Sequence, residues 1–304
     1  MDYEFIPLTK AATDGLTYTI GHAMRWRPSH KLCLQLLVSQ AAIARDFMEI
    51  PAAKAYERPG IQAAPVPADN IREAVAKFPG GIVYFNASEL GLLKFPIIVD
   101  GRLITKPAPS KALNQQQWEP LNEVFSFFVQ YPDGQVAIEE LAIADNHLGR
   151  GLSPGVCGFS APYILKDGQH LPLKNPPPGQ STRSQEVFFP AGGVPAPISA
   201  IGLDNAGRVV RVSLVGNIAC PGQLERLPTE YDLAGCLKQL NVVNALYAGG
   251  SADVQYYDSQ TQTLIAAPER PKSADRKWLL RAGQTERGLS VIAMLVSVNH
   301  QDHL

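Results

Sequence analysis

The chain has 304 residues, 45% hydrophobic and 18% charged, with 27 basic residues against 28 acidic ones. That is enough apolar material for one large domain with a full core, and a net charge of -1 supplies neither a basic face nor an acidic tail, so no nucleic-acid partner is expected. Cys33, Cys157, Cys220 and Cys236 lie far apart with no Cys-x-x-Cys spacing, which argues against a metal site and leaves disulfides unspecified.

In chain order, residues 16–22 (LTYTIGH) and 31–38 (KLCLQLLV) carry the apolar enrichment and partial two-residue alternation of strands. Residues 24–30 (MRWRPSH) read as the loop between them. Its Arg25-Trp26-Arg27 cluster has two readings: a hairpin connection with one buried indole, or a pocket wall where Trp stacks on a sugar and Arg holds an oxyanion. Residues 47–67, rich in Ala and Pro, predict an irregular excursion. Asp69 is placed to cap a helix over 70–78 (NIREAVAKF), whose Ile71, Val75 and Phe78 share a face and which Pro79-Gly80-Gly81 ends. A buried strand over 82–85 follows and runs into Asn86-Ala87-Ser88. An amide at a strand end offers a donor and an acceptor in fixed directions; the alternative is an Asn that satisfies its own turn. Asp100-Gly101 between apolar runs predicts a hairpin turn.

Residues 124–131, the turn Pro132-Asp133-Gly134 and residues 136–144 form a second predicted hairpin. His147 and Arg150 then interrupt the pattern, either as a solvated loop or as an acid/base and anion-binding pair. Cys157 reads as packed core, with no base or cation beside it in sequence. Residues 173–185 (LKNPPPGQSTRSQ) form a Pro-rich loop of the kind that covers sites, and Arg183 on it has the reach to meet a charged group. Strands over 198–203 and 208–215 flank an Asp204–Gly207 turn, and a helix runs from Thr229 to Leu240. Next come a short strand over 242–246, a turn at Gly249-Gly250-Ser251 and a strand over 254–257. Paired glycines leave main-chain N–H groups open to a ligand, with Ser251 and Asp253 alongside; the plainer reading is a tight connection. The apolar run 290–298 (SVIAMLVSV) predicts a strand in the middle of a sheet.

Several of these stretches, taken together and in order, resemble the phosphodiester glycosidase domain family over about residues 16–298. They are Tyr84-Phe85-Asn86-Ala87-Ser88, then Phe95-Pro96 leading through an apolar strand to Asp100-Gly101-Arg102, the Asp204-x-x-Gly207 turn with its second strand ending at Gly216, and Ala248-Gly249-Gly250-Ser251 after the Thr229 helix. Three departures stand out. Ala248 occupies the place of the family's Asp before the glycines, Glu89-Leu90-Gly91 replaces an aromatic pair, and Pro197-Ile198 stands where an Arg precedes Ser199.

The predicted fold class is α+β, a largely antiparallel sheet of hairpins with a few helices, as one domain over 1–304 in which 1–68 is an N-terminal strand-and-loop portion. The resemblance implies a hydrolase that cleaves a sugar from a phosphodiester or related glycoside. Such chemistry needs an acid for the leaving group and a carboxylate to activate water or hold oxocarbenium charge, and a phosphate leaving group relaxes the first demand. Asp253 and Glu89 are the carboxylates nearest the late and early signatures, hence the expected catalytic pair. Asn86, Ser88, Gly249, Gly250, Ser251 and Arg183 are the expected substrate-binding residues. No cofactor and no metal are expected, the expected partner is a small-molecule or carbohydrate ligand, and the oligomeric state is left open. No basic and apolar leader opens the sequence and no run of about 18 apolar residues occurs, so a cytoplasmic chain with no membrane partner is expected. Two alternatives stand beside the hydrolase: the same fold turned to another small-molecule reaction, drawing on Cys220, His147 or Tyr247, or a non-catalytic carbohydrate-binding protein. The hydrolase reading requires the segments around residues 86 and 251 to wall one hollow.

Overall fold

In a computed structural model of the chain, the residues described are 3–11, 15–29, 31–39, 65–66, 71–87, 96–103, 122–145, 147–172, 195–216, 227–250, 254–266 and 291–297. Strands β1 (Tyr3–Ala11), β2 (Thr17–Trp26), β3 (Leu32–Ser39) and β4 (Pro65–Val66) precede helix α1 (Ile71–Lys77). They are followed by β5 (Gly81–Asn86), β6 (Ile97–Val99), β7 (Arg102–Leu103), β8 (Glu123–Gln130), β9 (Val136–Ala144) and β10 (His147–Leu148). Then come β11 (Cys157–Ser160), β12 (Tyr163–Lys166), β13 (Gln169–His170), β14 (Ile198–Asp204), β15 (Val209–Leu214) and helix α2 (Glu230–Gln239). Strands β16 (Val242–Gly250), β17 (Gln255–Asp258), β18 (Thr263–Ala266) and β19 (Val291–Ser297) complete the order.

The strands form three sheets: β1-β2-β15-β14-β16-β12-β13, β10-β9-β8-β11-β6-β7, and β18-β17-β5-β19-β3-β4. All pairings are antiparallel except the two-residue contact of β3 with β4. This overturns the α+β expectation. Among the described residues the two helices span seven and ten residues beside nineteen strands, and the fold is mainly antiparallel β. The physical reason lies in where the helices pack. Each covers the outer face of one sheet, α1 over Tyr84 and Met294 of the third and α2 over Val210, Val212 and Ala245 of the first. The largest core lies between the sheets and is built from strand and loop residues, including Trp26, Leu34, Phe85, Phe128, Phe159 and Leu246.

Two further expectations change. The loop placed over residues 24–30 is strand through Trp26, because alternation puts the fully buried Trp26 indole inward against Phe85, ring centroids 6.4 Å apart, and turns Arg25 outward to Glu4 at 3.0 Å. Its indole is core, not a pocket wall. The turn placed at Gly249-Gly250 is likewise strand: β16 continues its ladder with β14 to Gly250, which pairs with Ile198. Other elements stand as predicted. Asp100 and Gly101 have φ of 50° and 74°, as do Asp167 and Gly168, and both pairs take the left-handed conformation that a two-residue hairpin requires. Thr229 caps α2, with its hydroxyl accepting from the Asp232 N–H and the Asp232 carboxylate accepting in return from the Thr229 N–H. Strand β19 lies between β5 and β3, inside its sheet.

One side chain ties two sheets together. Buried Gln130 at the end of β8 accepts from the Leu34 N–H at 2.8 Å and donates to the Leu34 carbonyl at 3.0 Å. Its amide thereby stands in for a paired strand along β3.

Candidate functional site

The site begins at a bulge. Ser199 pairs with Gly249 but Ala200 pairs with Tyr247, so Ala248 is the extra residue in β16 and drops out of the ladder. Its carbonyl finds a partner elsewhere: Nδ2 of Asn86, the last residue of β5, donates to it. On its other side the Asn86 Oδ1 accepts from Arg211 Nη2 at 2.8 Å and from the Gln255 N–H at 3.4 Å. Because a guanidinium only donates, this contact fixes which end of the amide is oxygen. The Ser199 hydroxyl donates to the Gly249 carbonyl at 2.9 Å, and Gly249 has φ of +114°, a conformation that favours glycine at this strand end. Strand β5 also pairs directly with β17, Phe85 opposite Tyr256 and Tyr84 opposite Tyr257. Asn86 therefore joins the end of β5 to the end of β16 and the start of β17, while residues 251–253 lie outside the described residues.

Arg211 is the cation of this joint. Alternation along β15 sends Val210, Val212 and Leu214 to the α2 side and leaves Val209, Arg211 and Ser213 facing the other way. Its Nη1 donates to the carbonyls of Ala200 at 3.1 Å and Val212 at 3.0 Å, and the guanidinium lies 5.1 Å from the Phe85 ring centre. Burial in this setting lowers its pKa to about 9. Among the described residues no carboxylate pairs with it. Arg211 thus brings a guanidinium to the Ala200 carbonyl from the neighbouring strand.

Beside Arg211, between the first and third sheets, is a hollow lined by Phe5, His22, Val83, Phe85, Ser213 and Tyr256, among others. Gly21 sets its geometry: an added Cβ would lie 2.2 Å from the Ser213 carbonyl oxygen, so β2 and β15 approach closely where His22 pairs with Ser213. The rings of Phe5, His22 and Tyr256 surround one another at centroid separations of 5.5, 5.6 and 6.0 Å. Burial, with Asp258 as a second cause, raises the Tyr256 pKa and keeps the phenol protonated, while burial alone lowers that of His22 and keeps it neutral. A base with a lowered folded pKa leaves stability intact above its unfolded value near 6.5 and withdraws it as pH falls below that value, because the unfolded chain takes the proton first. His170 is shifted the same way, mainly by burial. The melting temperature is expected to decline below pH 6.5 and His22→Phe to flatten part of that decline; a scan of melting temperature against pH for both proteins checks it.

Of the residues expected from sequence, Asn86, Gly249 and Gly250 come together at the joint, all buried. Ser88, Glu89, Arg183, Ser251 and Asp253 lie outside the described residues, as does Cys220. His147 is exposed on β10, and Arg150 pairs with Glu139, whose other oxygen accepts from the Tyr131 hydroxyl. Arg211, His22, Tyr256 and Ser199 did not emerge as site residues from the sequence. One signal was there to read, a lone Arg inside the otherwise apolar run Val209-Val210-Arg211-Val212. Among the described residues no cluster of His, Cys, Asp and Glu could hold a metal, and no helix is long and apolar enough to cross a membrane. Cys157 is buried as expected, its thiol pushed up to about 12 by burial and by nearby Cys33.

No protein-family model matches the chain, and no curated protein matches it. Solved structures do. The catalytic domain of zebrafish N-acetylglucosamine-1-phosphodiester alpha-N-acetylglucosaminidase, auto-inhibited by its pro-peptide, is 16% identical with a TM-score of 0.55, over 98% of this chain and 83% of that one. A hypothetical protein from Synechocystis is 14% identical with a TM-score of 0.45, over 97% of this chain and 61% of that one. The first of these likenesses shows a distant fold relationship.

Proposed function

We propose that this chain is a divergent hydrolase of the phosphodiester glycosidase type, which releases a sugar from a phosphodiester or a related glycoside. The observation that carries this reading is the Asn86 joint, where the ends of β5 and β16 and the start of β17 converge on one buried amide. In sequence, Glu89 follows Asn86 by three positions and Asp253 precedes Gln255 by two. In this reading those two carboxylates supply the acid and the base or nucleophile. Ser88, Ser251 and Arg183 bind the substrate, while Gly249 and Gly250, buried in the β16 ladder, form the strand end behind them. Asn86 enters as a positioning residue, since its amide is buried and both of its ends are engaged by protein. The fold shared with a phosphodiester glycosidase supports the substrate class by analogy of architecture.

The test is turnover of α-linked N-acetylglucosaminyl phosphodiesters, UDP-sugars and aryl glycosides by the protein, Asp253→Ala and Glu89→Gln. Each substitution is expected to lower kcat about a hundredfold, the lower range for loss of a general acid or base. Turnover that survives both discards the two residues as catalysts. A ligand-dependent rise in melting temperature with no turnover moves the reading to a carbohydrate-binding protein.

A further inference from the structure

Strands β1 and β13 are the two ends of the first sheet, with β2, β15, β14, β16 and β12 between them. Six strand spacings would hold them about 29 Å apart in a flat sheet. Adjacent residues of α2 nevertheless touch both. The Asp232 carboxylate accepts from the Lys10 ammonium of β1 at 2.8 Å, and the Tyr231 ring meets the His170 ring of β13 edge-on, with centroids 5.3 Å apart. The same two flanks continue along the helix. The charge of Lys10 also acts on Cys236, one turn beyond Asp232, while those of Glu230 and Lys238 act on His170. Between the flanks, Leu233 and Leu237 pack with Leu8 of β1 and with Ile164 and Leu165 of β12. The first sheet therefore curls around α2, and its two edges rise on opposite sides of the helix.

The start of α2 is fixed by the same group that grips β1. The Asp232 carboxylate accepts from the Thr229 N–H at 2.9 Å, closing the helix cap, and from Lys10 at 2.8 Å, tying that cap to the strand. Tyr231, the next residue back along the chain, holds the other edge, so a turn that shifts to release one strand shifts its grip on the second. We propose that the first turn of α2 is a clasp that couples the two edges of the curled sheet, so that β1 and β13 loosen together instead of fraying separately. Side chains that are distant and share no partner act independently as a rule, and Lys10 and His170 depart from it because one helical turn engages both. The coupling is reciprocal: an event that loosens either edge is felt at the other by the same factor. The clasp does not depend on the hydrolase reading.

The experiment is amide hydrogen exchange of the full chain, read residue by residue by NMR under conditions where the rates report opening equilibria. The reporter at the far edge is the Leu171 N–H, which donates to the Ile164 carbonyl at 3.0 Å. Lys10→Met, which keeps the stem and removes the charge, is expected to speed exchange at Leu171 about threefold, the scale of a partly exposed ion pair. In the reverse direction, His170→Ala is expected to speed the ladder amides of residues 9–11 by a similar factor. Glu4→Gln is the control: it breaks the 3.0 Å pair with Arg25 on the same strand, away from the first turn of α2, and is expected to leave Leu171 unchanged. A Lys10→Met effect confined to β1 and α2, or a rise at Leu171 that Glu4→Gln reproduces, overturns the proposal. Uniform acceleration that includes β14 and β16 overturns it as well, since it marks loss of global stability and no clasp.

Discussion

Asn86→Leu is expected to cost about 4 kcal/mol of folding stability, since it strips a hydrogen bond from a buried cation and leaves a bulged carbonyl unpaired. The side chain that disappears is the one that accepts from Arg211 at 2.8 Å and donates to Ala248. What remains is a guanidinium that is 3% exposed, with a new apolar neighbour in place of an acceptor. Arg211→Met in the Asn86→Leu background then removes the stranded charge, and the double variant is expected to be more stable than the sum of the two single losses by about 2 kcal/mol. Urea midpoints for the four proteins close the cycle. Strict additivity would mean that the two side chains do not act as a unit, and the joint described above would be only a crossing of strands.

Gln130→Leu is expected to cost about 3 kcal/mol, for a different reason. No charge is involved; two backbone groups of Leu34 lose their partners at once, at 2.8 and 3.0 Å, and each buried unpaired group costs about 1–3 kcal/mol. Leu fills nearly the same space, so the loss reports hydrogen bonding more than a cavity. The exposed ion pair of Lys166 with Glu140, with side chains 41% and 48% exposed, is the natural control, and its removal is expected to cost under about 1 kcal/mol. Equal losses at the two places, measured by urea unfolding, would show that Gln130 does not hold the second and third sheets together.

The hairpins, the strand at 291–297 and both helices were legible in the sequence because each has a local cause. Asp-Gly pairs demand positive φ, the Thr229 and Asp232 pairing closes a helix start within three residues, and an uninterrupted apolar run has to be covered on both faces. The Arg25-Trp26-Arg27 cluster misled because charged residues beside an indole suggest a loop, whereas alternation at the end of a strand with one face outward accommodates Arg25 and Trp26, and only Arg27 lies beyond it. Gly249-Gly250 misled in the opposite direction, since paired glycines suggest a turn yet here end a strand that runs through a bulge.

Arg211 shows where local reading stops. Its charge in an apolar strand was visible in the sequence, but its partner Asn86 is 125 positions away, and the Gln255 N–H that shares this amide is 169 positions from it. The sequence by itself determined turns, caps and which stretches extend, because those depend on interactions within a few residues. Only the tertiary structure decided that the strands divide into three sheets, that the helices merely cover two of them, and that Arg211, Asn86, His22 and Tyr256 share one region. The reason is that pairing partners and inward faces are chosen by burial across the whole chain, and no local spacing encodes which distant strand a residue will face.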